Sequence, residues 1–237
     1  SWYWEKTLYD YASLIVTASK GIERDIVQTF GAYLKDKTMT IYSGWDEMDF
    51  NDLPEVSKPE SYTISYFGNI NARRTLKYFY QALNRLWQER YIPQNIKVQL
   101  FGNYFKEIRD EISKSGISNM IEIIPPLEHK EAIANMMATD ALLLLVNSSS
   151  PYGRLTSKVC EYLRTQKPIL AIVPAWGEAA ELLRKYGHNY ICAMESTETI
   201  YHCLKRLFSE KEHNYQIPWE MEKSKQVHTL AERLKEE

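Results

Sequence analysis

Short apolar runs alternate with longer amphipathic segments along most of the chain. β-Strands are predicted by the apolar runs at 62–67, 97–101, 121–124, 141–146, 169–173 and 189–193. α-Helices are predicted by the segments that recur between them with apolar residues at helical spacing: 73–90, 104–115, 130–138, 157–165, 178–186 and 197–208. Strands that alternate with helices indicate right-handed βαβ crossovers and a parallel sheet that is covered on both faces.

Two of the predicted strands, "ALLLLV" at 141–146 and "ILAIV" at 169–173, are continuously apolar. Strands that are buried on both faces of a parallel sheet have this composition, whereas half-exposed strands alternate between apolar and polar residues. We therefore predict an α/β fold with a doubly wound, Rossmann-like parallel sheet.

A shorter pattern at 1–50 predicts helix, strand, helix and strand. Such a small βαβ portion cannot bury a sufficient core of its own. It must dock on the main domain, pair with another chain, or belong to a domain whose remainder is absent. Because the chain opens within a helical pattern, "SWYWEKTLYDY", we expect a fragment or an engineered chain.

Polar segments suggest where the parts of the chain meet. A proline-containing segment at 52–61 predicts a linker, and Pro218 suits the first turn of a terminal helix. We therefore divide the chain into an N-terminal portion at 1–58, a Rossmann-like domain at 59–213 and a closing helix at 214–237.

The composition is that of a globular protein, with 44% hydrophobic and 25% charged residues among 237. A net charge of -2 offers no excess of basic residues for nucleic acid, so we expect no nucleic-acid partner. The three cysteines lack a CxxC spacing, which favours reduced thiols in a cytoplasmic protein over a disulfide framework or a zinc site. The longest apolar run is too short to cross a bilayer.

We expect the ligand-binding residues just after each strand, because ligands of doubly wound sheets bind at the carboxyl ends of the strands. After the strand at 62–67, Gly68 permits a tight turn, and Arg73 and Arg74 open the next helix. The two arginines suit a phosphate at a helix start, but solvated surface arginines are an equal alternative. The chain has neither GxGxxG nor GxxxxGK[ST], so the sequence lacks the main evidence for a dinucleotide-binding site or a P-loop.

The loop after 121–124 begins with two prolines and leads into a helix. Backbone groups at Pro126 and Leu127 could contact a nucleobase, although a plain turn explains them equally well. His129 follows in the same loop, without a carboxylate partner that the sequence identifies. A lone histidine of this kind is more often structural than catalytic.

A long polar loop, "NSSSPYGRL", follows the strand at 141–146, and long loops in compact α/β domains tend to be functional. Thr156 or Ser157 is predicted to cap the next helix, which leaves its first N–H groups free for an anion. Glu161 lies one helical turn later, where its carboxylate could accept two hydrogen bonds from a vicinal diol. An isolated surface glutamate is the alternative, but the apolar setting favours a ligand.

Taken in order, these segments resemble the nucleotide-sugar-binding half of a GT-B glycosyltransferase of the family 4 (group 1) type. "SGWDEMDF" is similar to the family's "NG-x-D-x-x-x-F" turn, and "GNINARRTLKYFYQA" to its "G-R-x-x-x-x-K-G" segment, with Asn69 in place of the usual arginine and Arg74 at the lysine position. "KVCEYLRTQKPILAIVP" resembles the family's "E-A-x-A-x-G-x-P-V" segment, with Glu161 as its glutamate. The family's second glutamate is replaced by Gly153, which leaves the choice of sugar open.

The resemblance implies roles for individual residues. Glu161 would bind the ribose, Pro126 and Leu127 the base, and the backbone before the helix the diphosphate. The residues implied in nucleotide-sugar binding are Gly68, Asn69, Arg74, Pro126, Leu127, Leu155, Thr156, Ser157, Lys158 and Glu161. Catalytic residues are not identified.

The resemblance also implies the reaction. We expect transfer of a sugar from a nucleotide-diphosphate sugar to a carbohydrate or lipid-linked acceptor, with retention and without a metal or other cofactor, this chain being mainly the donor-binding part and incomplete for catalysis. We further expect a cytoplasmic protein with peripheral membrane contact and self-association through the N-terminal portion. One alternative is a non-catalytic nucleotide-binding or interaction module of the same fold. Another is an epimerase-like GT-B enzyme, which would need acidic catalytic residues that the chain does not show convincingly.

Overall fold

A computed structural model describes residues 2–70, 75–93, 95–146 and 155–235. The N-terminal portion forms the predicted helix and βαβ unit. Its elements are α1 (Trp2–Tyr11), β1 (Ile15–Thr17), α2 (Lys20–Phe30), a 3₁₀ segment (Ala32–Lys37) and β2 (Thr38–Thr40). β1 and β2 pair in parallel, and a 3₁₀ turn at Glu47–Phe50 follows.

The main domain alternates strands and helices as the sequence predicts. Its elements are β3 (Tyr62–Phe67), α3 (Lys77–Gln88), β4 (Ile96–Phe101), α4 (Lys106–Ser113), a 3₁₀ turn (Ser118–Met120), β5 (Ile121–Ile124), α5 (His129–Ala138), β6 (Ala141–Leu145), α6 (Lys158–Thr165), β7 (Ile169–Ile172), α7 (Glu178–Lys185), β8 (Ile191–Cys192) and α8 (Thr197–Ser209). Most boundaries agree with the predicted ones within two residues, but α3 begins at Lys77, not at residue 73.

The six strands of the main domain form one parallel sheet in the order β5-β4-β3-β6-β7-β8. The chain therefore moves outward from β3 through β4 to β5, and then crosses back to β6 on the other side of β3. This reversal of direction defines a doubly wound sheet with its switch point between β3 and β6. The fold class predicted from the sequence is confirmed.

The sheet is buried on both faces because its central strand has apolar side chains on each. Leu143 and Leu145 of β6 pack with residues of α3, α4 and α8, whereas Leu142 and Leu144 pack with residues of α5, α6 and α7. Successive side chains of a strand point to opposite faces, so a continuously apolar strand supplies both cores.

The N-terminal portion docks on the main domain through a buried carboxylate. Glu178, at the start of α7, accepts hydrogen bonds from the backbone N–H groups of Lys20 (2.7 Å) and Gly21 (2.8 Å) in the first turn of α2. A helix N-terminus favours a negative charge, and Glu178 is only 5% exposed. Of the three alternatives for the βαβ portion, the structure shows docking.

The closing helix α9 (Lys223–Lys235) begins later than predicted. Pro218 does not open this helix but precedes a separate 3₁₀ turn at Trp219–Met221. Trp45, which is 2% exposed, packs edge-on against Trp219, and its carbonyl accepts a hydrogen bond from the backbone N–H of Lys223. The C-terminal end thus covers the segment that follows the N-terminal βαβ unit. None of the helices that the structure describes is both long and apolar enough to cross a membrane.

Candidate functional site

A pocket of about 300 Å³ opens at the carboxyl ends of β3, β4 and β5, beside the switch point of the sheet. Its walls come from the strand-end turns and from α5 and α6. The lining residues are Phe67, Gly68, Asn69, Phe101, Gly102, Pro126, Leu127, His129, Ala132, Met136, Lys158 and Glu161.

The pocket brings together most of the residues that the sequence singles out. Those that line it are Gly68, Asn69, Pro126, Leu127, Lys158 and Glu161. Leu155, Thr156 and Ser157 lie immediately before α6 and do not line the pocket. Arg73, Arg74 and Gly153 lie outside the described residues.

Two glycines let the turns after β3 and β4 approach each other closely. Gly68 has φ +135°, and a Cβ there would lie 2.6 Å from Nζ of Lys158. Gly102 has φ +149°, and a Cβ there would lie 2.4 Å from the carbonyl oxygen of Gly68. The ammonium group of Lys158 therefore lies against the turn after β3, within the pocket.

The side chain of Asn69 is hydrogen-bonded within the protein. Its Oδ1 accepts a hydrogen bond from the backbone N–H of Asn103 at 2.9 Å, and the hydroxyl of Tyr104 donates to the carbonyl of Gly68 at 3.0 Å. These bonds tie the turn after β3 to the turn after β4. Asn69 thus braces the pocket wall and supplies no positive charge to a ligand.

Phe67 and Phe101 form a flat apolar surface of the pocket. Their rings are stacked, with centroids 4.5 Å apart and planes within 5° of each other. Our sequence reasoning missed both residues, although each is the last residue of a predicted strand and so stands at the ligand-binding edge.

Glu161 is the carboxylate that lines the pocket from α6, and its side chain is 20% exposed. Burial raises the pKa of Glu161, and the nearby side chains of His129, Lys158 and Lys223 oppose that rise. A carboxylate in such a position lacks full solvation and gains from a ligand that donates hydrogen bonds to it.

His129 lies between two carboxylates. Its Nε2 is 3.2 Å from Oδ2 of Asp49 and 4.0 Å from Oε1 of Glu161. No partner for this histidine could be identified from the sequence, because Asp49 precedes it by 80 positions and Glu161 belongs to a different helix. His129 is therefore part of the pocket's charged group and not an isolated structural residue.

The turn that carries Asp49 is fastened to the helix that carries Glu161. Arg164 of α6 donates from Nε to Oε2 of Glu47 at 2.7 Å and makes a second bond to Oε1 of the same carboxylate. Its guanidinium also lies over the ring of Phe50, 4.7 Å from the centroid. The hydrogen bond from Arg164 holds the pKa of Glu47 below its usual range. Two-point contacts of this kind fix orientation as well as distance.

The predicted side-chain cap of α6 is not formed. Ser157 occupies the N-cap position without a capping hydrogen bond from its side chain. The hydroxyl oxygen of Thr156 is buried and has no hydrogen-bond partner in the part of the chain that the structure describes. A buried hydroxyl without a partner, beside the open N–H groups of a helix start, retains capacity for a ligand.

No three histidine, cysteine, aspartate or glutamate side chains within 2–70, 75–93, 95–146 and 155–235 are arranged to hold a metal ion.

The doubly wound sheet and the pocket at its switch point define an α/β protein of the Rossmann-like class. The model of the family described as "Glycosyl transferases group 1" matches residues 49–218, which is most of the chain. The chain therefore belongs to the group 1 glycosyltransferase family. A search of curated protein sequences gave no match.

Solved structures share the fold at low sequence identity. HepE from Anabaena, in complex with UDP, has a TM-score of 0.72 and 17% identity, covering 97% of this chain and 65% of that one. Sucrose-phosphate synthase from Thermosynechococcus elongatus has a TM-score of 0.71 and 11% identity, covering 98% and 60%. The pneumococcal O-GlcNAc transferase GtfA, in complex with UDP and GlcNAc, has a TM-score of 0.69 and 12% identity, covering 98% and 47%. The chain spans less than two thirds of the length of these three proteins.

Proposed function

We propose that this chain is the donor-binding part of a GT-B glycosyltransferase of the family 4 type, which transfers a sugar from a nucleotide-diphosphate sugar. The observation that carries the proposal is the arrangement of Glu161, Lys158 and Gly68. A partly buried carboxylate and an ammonium group face one pocket at the strand ends, and the ammonium group lies against a turn formed by a glycine of positive φ.

The nucleotide is oriented by three parts of the pocket. The base contacts the backbone of Pro126 and Leu127, and the ribose diol donates to the carboxylate of Glu161. The diphosphate extends toward Lys158 and the open N–H groups before α6, at Leu155, Thr156 and Ser157. Arg74 completes the cationic side of this site in the proposal.

The chemistry follows from where negative charge develops. As the sugar leaves, charge accumulates on the nucleoside diphosphate, and an ammonium group with helix N–H groups stabilises it without a metal. We therefore propose a metal-independent, retaining transfer. Retention rests on the family resemblance, and the departing group is the diphosphate that Lys158 contacts.

The proposed function also includes an acceptor, a location in the cell and an oligomeric state. We propose a carbohydrate or lipid-linked acceptor, a cytoplasmic location with peripheral membrane contact, and self-association through the N-terminal portion. These follow from the resemblance to the family. The donor site is tested first, because all of its proposed residues except Arg74 lie in the described part of the chain.

The test is a calorimetric titration of the chain with UDP, GDP and ADP. UDP is the first probe, because HepE and GtfA were each solved with UDP. Glu161→Ala is expected to weaken binding of the preferred diphosphate at least about tenfold, since hydrogen bonds to a charged group contribute about 1.5–3 kcal/mol. The 2′-deoxy nucleotide should lose part of the same affinity and be less sensitive to Glu161→Ala.

Glu212→Ala is the matched control, because Glu212 is exposed in the loop after α8 and far from the pocket lining. Equal affinity in Glu161→Ala and the unchanged chain would overturn the placement of the ribose. Failure of all three diphosphates to bind would overturn the donor site as a whole.

A non-catalytic module of the same fold is the second candidate, and Asn69 is the observation that favours it. The position where the family usually has arginine carries an amide that is used to tie two loops. An interaction module with a decayed donor site is expected to bind none of UDP, GDP and ADP, whereas a working donor site binds at least one of them. The same titrations therefore separate the two candidates.

A further inference from the structure

A second cavity, of about 400 Å³, lies between α3 and the end of α4 and shares no residue with the pocket around Glu161. It is lined by Lys77, Tyr80, Gln81, Asn84, Glu111, Lys114 and Ser115, and we call it the α3–α4 groove. We propose that the α3–α4 groove binds a small oxyanion, a phosphate or carboxylate group of a ligand other than the sugar donor.

The first observation behind this proposal is a buried hydroxyl that has no hydrogen-bond partner. Tyr80 is 2% exposed, yet its hydroxyl makes no hydrogen bond to any residue that the structure describes. Buried polar groups are nearly always satisfied, so an unsatisfied one in a cavity lining indicates a missing partner. Burial, followed by the charge of Glu111, raises the pKa of Tyr80, so the hydroxyl keeps its proton and is a donor.

The acceptors of the groove are largely used within the protein. Both carboxylate oxygens of Glu111 accept hydrogen bonds at the start of α3, from the hydroxyl of Thr75 at 2.8 Å and the backbone N–H of Leu76 at 3.1 Å. Oε1 of Gln81 accepts from the hydroxyl of Thr197 at 2.8 Å. Each oxygen of Glu111 therefore has one of its two lone pairs already in use, and Gln81, whose Oε1 is engaged, has its N–H₂ group left to donate.

The donors of the groove remain available. Lys77 and Lys114 line it from opposite helices, and neither forms an ion pair with another described residue. Together with the hydroxyl of Tyr80 and the amide of Gln81, they give the groove several donors and two positive charges, against the one negative charge of Glu111. Such a set matches an oxyanion, which has only acceptors.

A neutral sugar fits this lining less well. Sugar hydroxyls need acceptors as well as donors, and Ser115 is already engaged, donating to the carbonyl of Ile112 at 2.7 Å and accepting from the N–H of Ile117 at 3.3 Å. The acceptors that remain are the amide oxygen of Asn84, packed beside Gly116, and the second lone pairs of Glu111, which are fewer than the N–H and O–H donors of the groove. The balance of donors over acceptors therefore favours an anion.

The test is a titration of the ¹⁵N-labelled chain, followed by ¹H–¹⁵N correlation spectra. Inorganic phosphate replaces chloride at constant ionic strength, and acetate replaces chloride in a second series. We expect saturable shifts at the amides of Lys77, Asn84, Ser115 and Gly116. Tyr80→Phe removes only the hydroxyl and should weaken the anion's affinity about tenfold, and Lys77→Ala with Lys114→Ala by at least as much.

Lys106→Ala is the matched control, because it removes one charge from α4 at a residue outside the groove lining and should leave the affinity unchanged. Saturation by phosphate alone or by acetate alone supports the proposal and identifies the anion, and saturation by both supports a general oxyanion site. Shifts confined to the pocket around Glu161, shifts that are unsaturable in both series, or equal affinity in Tyr80→Phe would overturn it. UDP binding at the strand-end pocket is measured separately, so the two proposals can fail independently.

Discussion

Nε2 of His129 lies 3.2 Å from Oδ2 of Asp49, although the two residues are 80 positions apart in the chain. Asp49 comes from the turn after the N-terminal βαβ unit, and His129 from the first position of α5. A side chain that lines the proposed donor pocket is therefore held by a residue from a distant part of the sequence.

His129→Ala is expected to weaken UDP binding about three- to tenfold. The imidazole lies between the carboxylates of Asp49 and Glu161, so its removal takes away the hydrogen-bond partner of Asp49 and leaves the two carboxylates facing an anionic ligand and each other. Calorimetry measures the change, with His228→Ala, an exposed histidine of α9, as the control. An unaltered affinity in His129→Ala would show that the imidazole does not balance this charge.

The affinity for UDP is expected to fall as the pH falls through the raised pKa of Glu161. A protonated carboxyl accepts hydrogen bonds less well, and burial moves this loss to a higher pH than for an ordinary glutamate. For folding, the sign is opposite: a raised carboxyl pKa stabilises the fold at low pH, and that contribution is lost as the pH rises through the folded pKa.

Titrations over a pH series would show the effect on binding as a difference between the unchanged chain and Glu161→Gln. The glutamine does not titrate, so its profile keeps the contributions of the nucleotide and of every other protonatable group and lacks only that of Glu161. Identical profiles for the two chains would rule out Glu161 as the titrating group.

Removal of the Arg164–Glu47 contact is expected to destabilise the fold. The guanidinium makes two hydrogen bonds to one carboxylate, and the pair is partly buried. Because a lysine cannot make both bonds, Arg164→Lys should lower the free energy of unfolding by about 1–3 kcal/mol. A double-mutant cycle with Glu47→Gln in urea should give a coupling energy above about 0.5 kcal/mol. The exposed pair of Lys185 and Glu220 is the comparison and should couple by less than about 1 kcal/mol. Additive effects at Arg164 and Glu47 would contradict the proposed clamp.

Alanine at Gly102 is expected to destabilise the fold more than alanine at Gly68. Both glycines have positive φ, which costs other residues about 1–3 kcal/mol. At Gly102 the new Cβ would meet a backbone carbonyl, whereas at Gly68 it would meet the flexible end of Lys158. Thermal unfolding ranks the two variants. Gly68→Ala should in addition weaken UDP binding, because it displaces the ammonium group, and equal stability of both variants would contradict the packing argument.

Glu178→Ala is expected to loosen α2 from the main domain. The variant leaves two backbone N–H groups without their buried acceptor, at a cost of about 1–3 kcal/mol. Hydrogen exchange at the amides of Lys20 and Gly21 should accelerate, while Glu181→Ala on the same helix, where the residue is exposed, should leave it unchanged. Unaltered exchange in Glu178→Ala would show that other contacts hold the N-terminal portion.

The sheet could be predicted because its strands can be recognised from local composition. β6 and β7 are apolar throughout, and each of the strands lies between helices of clear period. The start of α3 was predicted too early, since Thr75 and Glu111 organise the chain before Lys77 through a contact between two helices. Pro218 was assigned to the wrong element, because a proline suits the start of a 3₁₀ turn as well as that of an α-helix.

The site was predictable only where its residues follow strands. Gly68, Pro126 and Glu161 could be placed at the carboxyl edge from their positions in the sequence, and the structure finds them in one pocket. The partners of His129 and Arg164 could not, because pairing across 80 or 117 positions depends on how the N-terminal portion docks. The unsatisfied hydroxyl of Tyr80 likewise could not be predicted, because Tyr80 lies among the apolar positions of a helix and its sequence does not distinguish it from a core residue.

The Arg164–Glu47 contact also determines how this protein can be divided. A chain that began at the predicted domain boundary, residue 59, would retain every strand of the six-stranded sheet, yet it would lack Glu47, Asp49 and Trp45. Arg164 in the last turn of α6 would lose its ion pair with Glu47, and His129 would lose its nearer carboxylate, Asp49. The first residue of α9, Lys223, would lose the carbonyl of Trp45 that accepts its backbone hydrogen bond. The smallest unit that preserves the pocket is thus longer than the sheet domain, and a shortened version for crystallisation or ligand screening should begin before Trp45.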